Sequence, residues 1–322
     1  MPPICFVTGA SGFVGRHLAP RLARNFRLRA LLRPGQVPAH LADLAVERID
    51  GRLDDAAALA AGCRGADVVV HLAARVSFRR EDRAAMFADN HAATARLAAL
   101  AREAKVRRFL HVSTIAAVAC RDRPEAVDER APYNFGPLRI GYCDSKFAAE
   151  QAVLAECRRG LDALIVNPPS MYGAGDRRKG DGSLLAAVFA GRVHLAPPGG
   201  LNVANVADVC DGIVAALHRG RSGERYLLGG ENLTGPGLLA RIAAVVGGRA
   251  PRRTAPRPLL RLAAAALEGK ERLFGSRPPM TSEILRLSSV FLWFTSQKAE
   301  RELGWRAGSV DDGIRAAWLD RA

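Results

Sequence analysis

Residues 4–15 read Ile4-Cys5-Phe6-Val7-Thr8-Gly9-Ala10-Ser11-Gly12-Phe13-Val14-Gly15, and this stretch decides the fold. A short apolar run gives way to three glycines spaced three apart and then to a helical pattern that starts at Gly12. Glycines are needed where a backbone turns tightly and must come close to a pyrophosphate, while the helix amino terminus offers free N–H groups and the positive end of its dipole. The spacing differs from the common G-x-G-x-x-G fingerprint, so the placement between strand and helix carries the reading. Gly9, Ser11, Gly12, Phe13, Val14 and Gly15 are the first candidate cofactor contacts.

Working outward, apolar runs at Ile4–Thr8, Leu28–Leu32, Ala45–Ile49, Asp67–Leu72, Phe109–Ser113 and Ala163–Asn167 alternate with helical patterns at Gly12–Asn25, Asp54–Ala61, Arg83–Lys105 and Gly141–Arg159. This alternation predicts an α/β fold built on a doubly wound parallel Rossmann sheet. Pro168-Pro169 breaks it, and a stretch rich in glycine, proline and charge follows, with a short helix at Ser183–Ala190. A strand-like segment after 200 and a helix at Ala207–Arg219 then return to the pattern. Helical stretches near 235–246, 257–273, 280–289 and 309–321 complete a smaller, mostly helical substrate lobe. The expected division is 1–168 with 201–226 for the dinucleotide, and 169–200 with 227–322 for the substrate.

The second informative stretch is Tyr142-Cys143-Asp144-Ser145-Lys146. Residues i and i+4 share one helix face, so the ammonium and the phenol act as a unit. A free phenol titrates near ~10, and an adjacent positive charge favours its ionised form, making Tyr142 a candidate general acid/base.

Composition narrows the field. Of the 322 residues, 49% are hydrophobic and 25% charged, as in a folded globular chain, and the formal net charge is +15. Only five of the 47 basic residues are lysines, and the arginines are spread along the whole chain without interleaved aromatics, which argues against a nucleic-acid partner. Pro251–Arg277 mixes arginines with leucines, and the expected reading is a helix packed on the protein rather than one on an anionic membrane. Six scattered cysteines form no CxxC pair, and no histidine pair has ligand spacing, so no metal site is expected. No signal-like leader and no membrane-spanning run is apparent, and a cytoplasmic protein without stable membrane insertion is the expectation.

About 20 residues beyond the glycines, NAD-preferring sites carry an acid that binds the ribose hydroxyls. Here the second strand ends Leu31-Leu32-Arg33-Pro34. Arg33 can pair with a 2′-phosphate, which favours NADP, with NAD as the alternative.

These residues resemble the extended short-chain dehydrogenase/reductase family of the epimerase/dehydratase type. The resemblance covers almost the whole chain and is closest to the dihydroflavonol-reductase-like group, which includes hopanoid-associated sugar epimerases. The glycine loop, His71-Leu72-Ala73-Ala74, Asn90, Val112-Ser113-Thr114, Tyr142…Lys146 and Asn167-Pro168-Pro169-Ser170-Met171-Tyr172-Gly173 stand in the family's order. YxxxK alone is expected only about 0.06 times by chance in such a chain. The resemblance implies that Tyr142 is the acid/base, that Lys146 orients the nicotinamide ribose, and that Thr114, or Ser113 beside it, hydrogen-bonds the substrate oxygen. It also implies cofactor contacts from Leu72, Ala73, Ala74, Asn90 and Pro169, and a homodimer. The family's Gly-Asp-Leu after the third strand is Gly51-Arg52-Leu53 here, which leaves Leu53 as the base-side candidate. Val118-Ala119-Cys120 replaces the usual Val-Tyr-Gly.

The leading functional expectation is hydride transfer between a nicotinamide cofactor and a small-molecule ketone or alcohol. A nucleotide-sugar epimerase with retained NAD is the alternative, and a non-catalytic cofactor-sensing Rossmann protein a further one. His71 is expected to be structural. Arg75, Arg79, Arg80, Arg177, Arg178 and Lys179 are expected to form a solvated surface, or else to meet an anionic substrate.

Overall fold

The computed structural model describes residues 2–35, 37–176, 183–274 and 280–320. Its strands run β1 (Ile4–Thr8), β2 (Arg27–Leu32), β3 (Val46–Asp50), β4 (Val68–His71), β5 (Arg108–Val112), β6 (Ala163–Asn167), β7 (Ser170–Tyr172), β8 (Leu195–Ala196), β9 (Gly200–Asn205), β10 (Arg225–Leu227), β11 (Glu231–Thr234), β12 (Arg253–Thr254) and β13 (Phe291–Leu292). The α-helices are α1 (Phe13–Leu22), α2 (Ala39–Ala42), α3 (Ala56–Cys63), α4 (Arg83–Met86), α5 (Ala93–Glu103), α6 (Gly141–Arg158), α7 (Leu184–Phe189), α8 (Val206–Arg219), α9 (Gly235–Val246), α10 (Arg257–Phe274), α11 (Ser282–Leu287), α12 (Gln297–Leu303) and α13 (Val310–Leu319).

The central sheet is parallel throughout, in the order β10-β6-β5-β4-β1-β2-β3. The order reverses at β1, and this reversal opens a crevice at the carboxyl ends of the strands. Val68-Val69-Val70 is wholly apolar because both faces of a parallel sheet are covered. The period of two is visible in β1, where Cys5 and Val7 face α1 and α8 while Phe6 faces α3 and α5. Leu18, Leu22, Val209 and Ile213 pack one face, and Leu59, Leu97 and Val153 the other.

Two expectations are modified. The single helix predicted over 83–105 is α4 and α5 joined by a π-helical turn at Phe87–Ala92. The lobe expected to be mostly helical also carries a second sheet, in which β11, β13 and β7 all pair with β9. Thus the strand expected near 201 in the dinucleotide part lies in that sheet. Within 201–226, α8, packed on α1, and β10, paired with β6, join the central layers, and α12 packs on both. Strands of two to four residues are too short to show a period, so register with distant partners defines them.

Candidate active site

At the end of β1 the chain turns through Gly9 at φ +77°, a left-handed conformation that favours glycine. A Cβ on Gly9 would stand 2.6 Å from the Ala73 nitrogen, and one on Gly15 2.3 Å from the Ala10 oxygen. The Gly12 amide donates to the Gly9 oxygen at 3.0 Å and closes the turn. No side chain caps α1 at Gly12, and no acid stands in its first turn. The amides and the dipole end are therefore open to an anion, and this cradle fits a dinucleotide pyrophosphate. Ser11 and Gly12 are exposed at its rim, while Phe13 and Val14 are half-buried.

His71 braces the cradle from beneath. Its Nδ1 lies 2.6 Å from Thr8 Oγ1 and its Nε2 2.8 Å from Thr94 Oγ1, while the Ala73 amide approaches Thr8 Oγ1 at 3.4 Å. Burial and the nearby Lys146 charge push its pKa down to about 3, so the ring is neutral and its role is structural. Leu72, Ala73 and Ala74 are half-buried beside Gly9. Leu53 packs against the core under α3, so its side chain belongs largely to the fold. Arg33 is exposed at the end of β2, and the Arg48 guanidinium donates to the backbone oxygens of Arg33 and Gly35. Arg48 also neutralises Asp50, the acid at the end of β3.

The catalytic side is built on α6, whose buried stripe runs Ser145, Lys146, Ala149, Glu150 and Val153. Tyr142 sits half-buried at the edge of that stripe, its ring edge-on to Phe78 at 5.6 Å. Lys146 is 1% exposed and donates to the Val112 oxygen at 3.0 Å, with its Nζ 3.3 Å from His111 Nε2. Burial lowers the Lys146 pKa to about 8, against the opposing pull of the Glu150 charge. Burial also holds His111 well below the usual imidazole range, so it remains neutral beside the ammonium.

Thr114 follows β5 and caps the short 3-10 turn Ile115–Ala117, its Oγ1 accepting from the Ala116 amide at 3.2 Å. That leaves the hydroxyl proton available to a substrate oxygen. Ser113 is buried and is turned toward Glu150. Pro169 is buried behind this segment, and the Ile115 amide donates to the Pro168 oxygen. Asn90, on the π turn, is buried beside α6. Its side chain pins both backbone groups of Arg75, at 2.7 and 2.9 Å, and donates to Ser145 Oγ at 3.0 Å.

The sequence reading passed over Glu150. This carboxyl is fully buried one turn beyond Lys146, accepts from Asn167 Nδ2 at 2.6 Å and lies 3.4 Å from Arg225. Asn167 also donates to the Thr114 oxygen at 2.8 Å, which ties the carboxyl to the substrate-side turn. The i, i+4, i+8 series Tyr142, Lys146, Glu150 was the available signal. Of the arginines suggested for an anionic substrate, Arg75 is paired with Asp89 at 2.6 Å, and residues 177–179 lie outside the described residues. Among the described residues no group of three or more metal-binding side chains converges.

A glycine-rich turn with an open helix amino terminus at the switch point of a doubly wound sheet, with a tyrosine and a buried lysine one turn apart, is the arrangement of a nicotinamide-dinucleotide-dependent enzyme. The chain belongs to the NAD dependent epimerase/dehydratase family, whose model matches residues 5–229. It is 33% identical to sterol demethylase protein B of Methylococcus capsulatus over 98% of this chain and 95% of that protein. It is 30% identical to a dihydroflavonol 4-reductase-like protein of Synechocystis sp. over 97% of this chain and 92% of the relative. The crystal structure of gox2253 superposes with a TM-score of 0.86 at 33% identity, over 98% of this chain and 97% of the other. The fold and the extended short-chain dehydrogenase/reductase resemblance are thus borne out, as is an oxidoreductase or epimerase activity.

Proposed function

We propose that the protein is a reductase that delivers hydride from NADP(H) to the carbonyl of an apolar, polycyclic or long-chain ketone. The observation that carries this reading is the company Tyr142 keeps. Phe78, Leu138, Leu201 and Leu287 pack with Tyr142 around a buried core of Ile115, Val118, Phe135 and Ile140. Such a wall offers little to the hydroxyls and phosphates of a nucleotide sugar and suits a hydrocarbon skeleton. The relatives' names, with a sterol in one and a dihydroflavonol in the other, point the same way.

The bound nicotinamide supplies the hydride. Tyr142 delivers the proton to the carbonyl oxygen, and Thr114 donates a hydrogen bond that holds this oxygen in place. Lys146 favours the phenolate left on Tyr142 and would hold the nicotinamide ribose. The glycine cradle holds the pyrophosphate, and Arg33 selects the 2′-phosphate. Asn90, through Arg75 and Ser145, fixes the loop 73–78 against α6. We extend the reading to a cytoplasmic homodimer, as the resemblance implies. Six free cysteines support a reducing compartment.

The test is NADPH oxidation against sterol and flavonoid ketones, set beside mass spectrometry of a nucleotide retained through purification. Turnover of an apolar ketone with no retained NAD is expected. Retained NAD together with interconversion of a nucleotide sugar would assign the epimerase activity instead.

A further inference from the structure

Helix α10 is built inside out. It packs on α11 with its acidic residues turned inward: Glu268 pairs with Arg286 at 2.7 Å, and Glu271 accepts from the Ser282 hydroxyl at 2.7 Å and amide at 3.0 Å. Leu260 and Leu267 are half-buried on the side of the buried Ala264, but the other three leucines face out. Leu259 is 56% exposed, Leu262 68% and Leu273 78%, and Met280 beyond the helix is 51% exposed. At 100° per residue Leu259, Leu262, Ala263, Ala266, Lys270 and Leu273 fall on one continuous stripe, while Arg261 and Arg272 lie on the Glu268 side and pair with Asp122 and Glu268. Ala263, Ala266, Leu267, Met280 and Leu285 line a shallow apolar groove with Lys270 at its edge. A helix stabilised only by its contacts with the protein would bury those leucines and expose those glutamates.

The surroundings are basic. Arg249, Arg252 and Arg253 are exposed just before α10, and the chain carries +15 overall. Across the β12–β8 pairing, Arg253 stands opposite the exposed Leu195. An apolar stripe that carries Lys270 and follows these exposed arginines fits an anionic lipid surface, where leucines enter the acyl boundary and the cations meet headgroups. Helix α11, on which α10 packs, reaches the Tyr142 side, because Leu287 at its end packs in the same cluster as Tyr142 and Phe78. We propose that α10 is an interfacial helix that docks the protein on an anionic membrane leaflet, with the substrate opening beside the lipid. It is a peripheral contact, since among the described residues no helix is long and apolar enough to cross a membrane. The sequence expectation of a helix packed on the protein holds for one face of α10 only.

The proposal stands apart from the substrate reading, since vesicle binding needs neither cofactor nor turnover. The full chain is sedimented with vesicles of phosphatidylcholine, alone or mixed with phosphatidylglycerol. Binding to the mixed vesicles is expected, weakening as salt rises. The triple variant Leu259→Ser, Leu262→Ser, Leu273→Ser changes only exposed side chains, so it should keep native cofactor binding and circular dichroism. Its partition coefficient should fall at least ~10-fold. Arg253→Gln with Lys270→Gln should reduce the preference for phosphatidylglycerol. Absence of wild-type binding, or equal binding by the triple variant, overturns the proposal. Conversion of a native dimer to monomers by the leucine changes, without vesicle binding by either protein, overturns it as well and assigns the face to a second copy of the chain.

Discussion

Glu150→Gln isolates the electrostatics beneath the catalytic pair. The amide keeps the shape and still accepts from Asn167, so the fold and the tie to Thr114 should survive. What is lost is a negative charge one helical turn from Lys146. At a charge separation of ~7 Å and an effective dielectric of ~20, that charge is worth about 2.4 kcal/mol to the ammonium. Arg225, 3.4 Å from the carboxylate, is present in both proteins and drops out of the difference, so the loss corresponds to about 1.7 pKa units. Lys146 is already lowered to about 8 by burial, and Glu150 is the group that raises it. The lysine works as an ammonium, so function falls as pH rises through its pKa. In the native protein the alkaline limb should therefore lie near 8, and in Glu150→Gln near ~6. The assay is NADPH affinity of the free protein against pH by calorimetry, with the kcat/KM profile for an active ketone as its companion. An alkaline limb that stays in place, or that moves upward, would refute the argument by showing that the buried carboxyl is uncharged in the native protein.

Tyr142→Phe keeps the ring against Phe78 and removes the proton donor, so turnover should drop at least ~10²-fold with cofactor affinity nearly unchanged. An unchanged rate excludes Tyr142 as the acid. Arg33→Ala should weaken NADP(H) by about 1.5–3 kcal/mol while leaving NAD(H) almost untouched, measured by titration of both cofactors. Tighter native binding of NAD(H) would reject the role of Arg33. Gly9→Ala forces a Cβ onto the Ala73 nitrogen at a φ of +77°, so cofactor binding should be lost and the melting temperature lowered. Native affinity in that variant would show that the cradle lies elsewhere.

The sequence by itself determined the central sheet, the cradle and the tyrosine–lysine pair. These rest on local physics: a strand covered on both faces must be apolar, a tight approach to phosphate needs glycine, and helix spacing places Tyr142 beside Lys146. The tertiary structure alone decided what depends on partners far apart in the chain. β9 reads as another strand of the main layer, yet it pairs with β7, β11 and β13, segments too short to show a period. Asn90 stands in the sequence with no sign of its partners, and the π turn brings it against Arg75 and Ser145. Glu150 is one more acid on an amphipathic helix until β6 and β10 bring Asn167 and Arg225 against it. In α10 the pattern is visibly amphipathic, but which face meets the protein was settled by Arg286 and Ser282 on α11, since a periodic stripe fixes the existence of a face and only its neighbours fix where that face points.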